Sequence, residues 1–313
     1  MARNPNPYPR EVSVGYAAQS ASSVRDRVRR TVALLRRRGY AVTAQRLAQL
    51  CLGGSLSETD IRWAVAADPD LAIASDLVVE RDALGRVGSI RSRSLAHQTE
   101  SAAYLELTLA FIPKLVAVAP FIRAVSIAGS LASGGFRASD DVDLNLVVDD
   151  GRRHLAYVMV NLLGLLHAIR HRGKPVDDLT RRPIAPRLMT ANLILERSQC
   201  RPLERQDEDM AFELLVSEPV FGLDTVREVV EENHGLLAHF PQLAERSASH
   251  VVEPPRRRAP AMLYPAFLDG PARYLGHAAW RYMQWTRRNR PEALARVAFV
   301  RETMRPYTLF DAS

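Results

Sequence analysis

The chain has little sulfur to work with: two cysteines, Cys51 and Cys200, stand far apart without a CxxC spacing. Two thiols cannot complete a four-cysteine zinc site or staple a disulfide scaffold, and they suit a reducing compartment. Lysine is as scarce, since of 42 cations only Lys114 and Lys174 are not arginine, a bias that reads as base composition of the gene rather than design. The eight histidines contain no HExxH spacing, which removes the commonest helical zinc-hydrolase motif. No apolar run reaches the roughly twenty residues of a membrane span. The longest, 155–169, carries Asn161 and His167 and predicts a buried helix instead. The opening MARNPNPYPREVSVGY has no apolar core of a leader or anchor, so a cytoplasmic protein with no membrane partner is expected.

What is present is ordinary globular composition, 47% apolar and 25% charged over 313 residues, enough for a sizeable core and two to three domains. The net charge of +7 is uneven, with fifteen cations against nine anions in residues 1–99 and near balance beyond. Any broad contact with polyanions belongs to that first third.

Helical spacing of Val24, Val28, Val32 and Leu35 predicts an arginine-rich amphipathic helix over 24–38. Thr43 and Ser57 are positioned to cap two further short helices. Stretches 71–80 and 87–92 read as two strands with a turn at 82–85, so helices followed by a hairpin give a winged-helix-like module over 1–96. Its third helix carries Glu58 and Asp60 at its entry and Asp68 and Asp70 at its exit, against Arg62 alone, which repels phosphate. At most weak, non-specific nucleic-acid binding is expected of it.

Residues 98–118 predict a long helix, followed by strands at 123–128, 141–148 and 187–196, with a helix over 152–171 between the last two. Periodicity beyond Glu196 is helical, interrupted by the exposed linker VVEPPRRRAP. The expected fold class is α+β, divided as 1–96, a core over 97–200 and a helical C-terminal region over 201–313.

The chemistry is concentrated in VSIAGSLASGGFRASDDVDLNLVV, residues 125–148. An apolar strand runs into Gly129-Ser130, a glycine-containing turn follows, and a second strand begins Asp141-Val142-Asp143. On that strand Val142, Leu144, Leu146 and Val148 alternate with Asp141, Asp143 and Asn145, so the two carboxylates share a face roughly 6–7 Å apart. Two carboxylates plus phosphate oxygens suit magnesium. Gly129 permits close backbone approach to a phosphate, and the Ser130 hydroxyl and following amides can donate to it. Arg137, in the intervening turn, can neutralise a phosphate, although an exposed turn arginine is the plainer reading.

A glycine-serine pair, ten residues, and an Asp-x-Asp between apolar strands resemble the DNA polymerase β-like nucleotidyltransferase superfamily. ANLILERSQCRPL and EENHGLLAHFP also resemble bacterial nucleotidyltransferase-domain proteins. The resemblance implies a mixed sheet with flanking helices, a nucleoside triphosphate (ATP in the first instance) as donor, Mg²⁺ on Asp141 and Asp143, and Gly129, Ser130 and Arg137 at the triphosphate. It implies transfer of a nucleoside monophosphate to a small-molecule, protein or RNA hydroxyl. Two features depart from the pattern. Asp140 is an extra residue before the Asp-x-Asp, and Asn192 occupies the third strand where an acid is expected, although an amide cannot act as a base. Glu196, Asp177 and Asp178 are alternative acids, and replacing Asn192 with Asp is expected to raise transfer. A nucleotide sensor without turnover and a winged-helix DNA-binding regulator are the competing readings. In the helix expected around 271–288, Tyr274, Trp280, Tyr282 and Trp285 interleave with arginines, a spacing that suits core packing more often than base stacking.

Overall fold

In the computed structural model, which describes residues 23–169, 174, 175 and 188–310, the chain divides into two compact units at Val87/Gly88. Asp177 and Asp178 lie outside the described residues. The architecture is α+β with two small sheets.

In the first unit, side-chain oxygens start the helices as the sequence requires. Ser23, Thr43 and Ser57 accept from the amides of Asp26, Arg46 and Asp60 at the heads of α1 (Val24–Arg37), α2 (Ala44–Gln49) and α3 (Glu58–Ala67). Strands β1 (Val42–Thr43), β2 (Leu71–Ala74) and β3 (Leu77–Glu80) pair antiparallel in the order β1-β3-β2. The hairpin is therefore shorter than expected. It turns at Ser75-Asp76, both at positive φ (50° and 66°), the backbone a two-residue hairpin loop demands. Residues 87–92 are helical and not the expected strand, because they form the start of α4 (Val87–Val118).

The arginines of α1 are largely engaged. Arg27 donates to the carbonyls of Leu52 and Gly54, Arg29 and Arg30 face Asp26, and Arg36 pairs with Glu80 and Asp82. On α3, Glu58 holds Arg62, the helix's own cation, and Trp63 is exposed. The full chain should therefore bind duplex DNA only non-specifically, at a Kd of roughly 10–100 µM that weakens steeply with salt. A gel shift across a salt series checks this, and nanomolar sequence-selective binding at physiological salt would restore the regulator reading.

The second unit is built on a sheet of β4 (Ile122–Ala128), β5 (Val142–Val148), β6 (Met189–Glu196) and β7 (Glu218–Phe221), ordered β6-β5-β4-β7. Only β5 and β6 run parallel. The fourth strand comes from the region expected to be helical throughout. Gly222, at φ +68°, turns the chain out of β7 against the backbone of Arg123, where any Cβ would overlap Ala124 Cα at 2.9 Å. Helix α8 (Leu223–Glu231) follows directly.

One face of the sheet packs Val125, Ile127, Val142, Leu144 and Leu146 against Phe111, Ile112 and Leu115 of α4 and Ala156 and Val160 of α6 (Arg153–Ala168). Each such aliphatic or aromatic side chain contributes about 1.5–3 kcal/mol when fully buried. The stretch Arg81–Val118 is long and apolar enough to cross a bilayer by length and composition alone, but its last two turns are core, with Phe111, Ile112, Leu115 and Val116 at most 1% exposed. Helix α6 was expected to be buried. It is buried on one face, while Leu162, Leu165 and Leu166 are exposed.

The other face carries Asp143 and Asn145, with Ala128 and Ser126 directly opposite them on β4. Helix α7 (Glu208–Val216) meets this face through Glu213.

Candidate functional site

The site begins at the junction of β4 and the five-residue helix α5 (Gly129–Ser133). Ala128 pairs with Asp143 across the ladder, so the next residue must pass the Asp143 side chain. Gly129 does so at φ +61°. A Cβ there would fall 2.9 Å from Asp143 Cγ and closer still to Oδ2, which makes this a position for glycine alone. From the other side, Thr190 Oγ1 donates to Asp143 Oδ1 at 2.9 Å. Asp143 is thus held between a glycine backbone and a threonine hydroxyl, half-buried, with Asp141 two residues earlier at the entrance to β5.

The extra residue in the motif, Asp140, turns into the loop. Its Oδ2 accepts from Arg93 Nη2 at 2.5 Å, Ser130 Oγ at 3.1 Å and the Arg137 amide at 3.2 Å, while its carbonyl accepts from Lys174 Nζ at 2.8 Å. The Ser130 hydroxyl, expected at a phosphate, instead donates a hydrogen bond to Asp140, and the residue is 3% exposed. Arg137 contributes its amide to the same centre.

The sequence reading missed the clamp that holds this loop. Arg93, His97, Glu100 and Tyr104 form one stripe of α4, at helical spacing, and grip the segment 135–140 in turn. Arg93 donates to Gly135 O, His97 Nδ1 accepts the Phe136 amide at 3.3 Å, Glu100 accepts the Ala138 amide, and Tyr104 donates to Ala138 O at 3.1 Å. The i, i+4, i+7, i+11 recurrence of polar residues was the available signal.

Burial holds the His97 imidazole below its ordinary pKa of 6.5, which keeps Nδ1 free to accept. A depressed histidine favours the native state fully above about pH 6.5 and loses that contribution as pH falls, because the unfolded chain binds the proton first. Thermal unfolding between pH 7.5 and 5 should therefore show a steeper loss of stability in the parent than in His97→Gln, whose amide oxygen accepts at both pH values. Parallel slopes would remove His97 from the clamp.

Beyond Asp143 the same face carries a buried polar cluster. Asn145 Nδ2 donates to Glu213 Oε1 at 3.2 Å, Asn192 Nδ2 donates to the same oxygen at 3.0 Å and to Asn145 Oδ1 at 3.1 Å. Asn145 is 6% and Glu213 8% exposed. A helix thus brings an acid, Glu213, beside Asn192, where the sequence offered none on β6. Sequence alternation could not show it, because α7 contributes it from a distant part of the chain.

Alternation also fails within β6. Leu144 pairs with Ala191 but Asn145 with Leu193, so Asn192 is an inserted bulge residue. Met189 before the bulge and Ile194 after it belong to the same core cluster, an offset of one. Glu196 consequently leaves the Asp143 face. It pairs with Val148, five residues along β5 and roughly 16 Å from Asp143 by strand rise, and its carboxylate accepts the Gly151 amide. It anchors a loop.

Among the described residues no three His, Cys, Asp or Glu side chains gather as a metal cluster. The motif carboxylates are Asp141 and Asp143, the oxygen type that magnesium takes together with phosphate oxygens and water. The two stretches ANLILERSQCRPL and EENHGLLAHFP meet through fully buried Asn233, whose amide binds Cys200 O and Val229 O and accepts from the Leu203 amide. Of the aromatic series on α9 (Asp269–Arg287), Trp280 packs toward the core while Tyr274, Tyr282 and Trp285 are exposed, with Arg288 over the Trp285 ring. No known family, characterised protein or solved structure matches the chain.

Proposed function

We propose that the protein is a cytoplasmic nucleotidyltransferase that moves a nucleoside monophosphate from a nucleoside triphosphate, ATP in the first instance, to an acceptor hydroxyl. The observation that carries this reading is the contact between Gly129 and Asp143. It places a side-chain-free backbone turn and a carboxylate at one point on a sheet face, where a triphosphate and its counterion would have to meet. The polymerase β-like core, the winged-helix-like module and the magnesium all belong to this proposal.

Asp141 and Asp143 would hold magnesium, which when bound neutralises phosphate charge. Gly129 and the α5 amides would receive the triphosphate, and Arg137 would offset its charge. The Asp140 centre and the α4 stripe keep that turn in place. The acceptor oxygen attacks the α-phosphorus, the bond to the bridging oxygen breaks, pyrophosphate leaves, and the hydroxyl proton passes to Glu213, with Asn145 and Asn192 orienting its carboxylate.

A second reading, nucleotide binding without turnover, is favoured by one fact: both amides already donate to Glu213 Oε1. Incubation with each α-labelled nucleoside triphosphate, Mg²⁺ and a cell extract separates the two. Label on a discrete acceptor supports transfer. Saturable nucleotide binding with no label transferred supports the sensor.

A further inference from the structure

Residues 253–290 hold eight arginines against two acids, Glu253 and Asp269, in a C-terminal third that is otherwise acidic. Asp269 is already engaged by His154 and the Leu155 amide. Arg256, Arg257, Arg273, Arg281 and Arg290 are exposed, and none makes an ion pair with a described residue. The same stretch exposes large apolar side chains. Two 3₁₀ turns, Ala261–Leu263 and Ala266–Leu268, turn Tyr264 and Leu268 toward the core and leave Met262 83% and Phe267 74% exposed. Helix α9 continues the pattern. Ala272, Gly276, Trp280 and Met283 face inward, while Tyr274, Ala278, Arg281 and Trp285 share the opposite side at i, i+4, i+7 and i+11, with Tyr274 79% exposed. From Phe267 to Trp285 the stripe runs roughly 25–30 Å by helical rise.

We propose that this face docks the protein on an anionic phospholipid bilayer, with Met262, Phe267 and Tyr274 in the interface and the arginines on the headgroups. Apolar tips beside unpaired arginines match a surface that is itself apolar beneath a layer of negative charge. A second copy of the chain would set arginines against arginines. Single-stranded nucleic acid needs open ring faces, but Trp285 already stacks on Tyr282 at 6.1 Å and lies under Arg288, and the most exposed large apolar side chain among the described residues is the aliphatic Met262. The absence of an apolar span, which argued against a membrane partner, does not bear on such a peripheral contact. Helix α9 packs on α6, which covers the sheet face opposite Asp143, so the inference does not rest on the nucleotide reading.

Co-sedimentation of the full chain with vesicles of phosphatidylserine and phosphatidylcholine, about 3:7, tests it. Half of the protein should be bound at about 0.1 mM lipid, near the strength of a single acyl anchor. Pure phosphatidylcholine should bind roughly tenfold or more weakly, as should the mixed vesicles in high salt, which screens the arginines. Phe267→Ser and Arg281→Glu change exposed side chains, so both should keep the parent's melting temperature, and each should weaken binding roughly tenfold or more. No binding at about 2 mM mixed lipid, well above the expected midpoint, overturns the proposal. Equal binding to the neutral vesicles, or undiminished binding by either folded variant, overturns it too. Oligouridylate that binds at micromolar concentration, is lost in Arg281→Glu and finds the vesicles unbound would assign the face to RNA instead.

Discussion

Gly129→Ala should remove the nucleotide site while leaving a folded protein. The new methyl group must displace the Asp143 carboxylate, and it does so at φ +61°, where an L-residue is strained by about 1–3 kcal/mol. Displacing the carboxylate proposed to carry magnesium should weaken Mg²⁺-nucleotide affinity roughly 10–100-fold or more, the scale seen when a ligand's support is lost. Gly134→Ala is the matched control. It stands at φ +91° with nothing within 4 Å of the new Cβ, so it carries the backbone strain without the collision. Nucleotide titration of the two variants beside their melting curves checks the argument. Equal affinities in both would mean that the Gly129–Asp143 contact is not at the nucleotide.

The second large effect concerns the acid. Glu213→Gln keeps an oxygen able to accept from Asn145 and Asn192, so the buried cluster should survive, but it removes the proposed proton acceptor. Transfer should fall roughly 10²–10⁴-fold, the range of general base catalysis, with nucleotide affinity unchanged. With Glu213 as the base, the opposite sign is expected for Asn192→Asp from the one its place on β6 suggested. A carboxylate at 192 would face Glu213 Oε1 from where the amide now donates at 3.0 Å, and two like charges at that distance cannot both stay ionised. Activity should drop in Asn192→Asp and recover in part in the double variant Asn192→Asp/Glu213→Gln, which exchanges the positions of acid and amide. A faster Asn192→Asp enzyme would return the base to β6 and dismiss Glu213.

The parts of this molecule that local chemistry dictates were legible in its sequence. Thr43 and Ser57 cap the helices they were expected to cap, and β4 and β5 lie within a residue of their expected bounds. The parts that were misread depend on geometry with weak local marks. The hairpin turn uses Ser75-Asp76, with no glycine to announce it, so the strand signal was stretched into what is the start of α4. Strand β7 is four residues long and contains Pro219, which weakens any strand pattern. One inserted residue at Asn192 reverses the facing of everything after it, which moved Glu196 off the site. Glu213 sits among Met210, Ala211, Phe212 and Leu215 on a helix that shows no link to Asn192 until the chain is folded. A glutamate buried in such a run was the one hint available, since glutamate is seldom buried without a partner.

Whether Asp141 and Asp143 hold a magnesium nucleotide is decided by calorimetry of Mg·ATP against the parent, Asp141→Asn and Asp143→Asn. The parent should bind only with Mg²⁺ present. Each variant should lose binding while remaining folded, because the amide keeps the carboxylate's shape and still offers the Thr190 hydroxyl an oxygen at 143. Magnesium-dependent binding of equal strength in all three proteins would contradict the account.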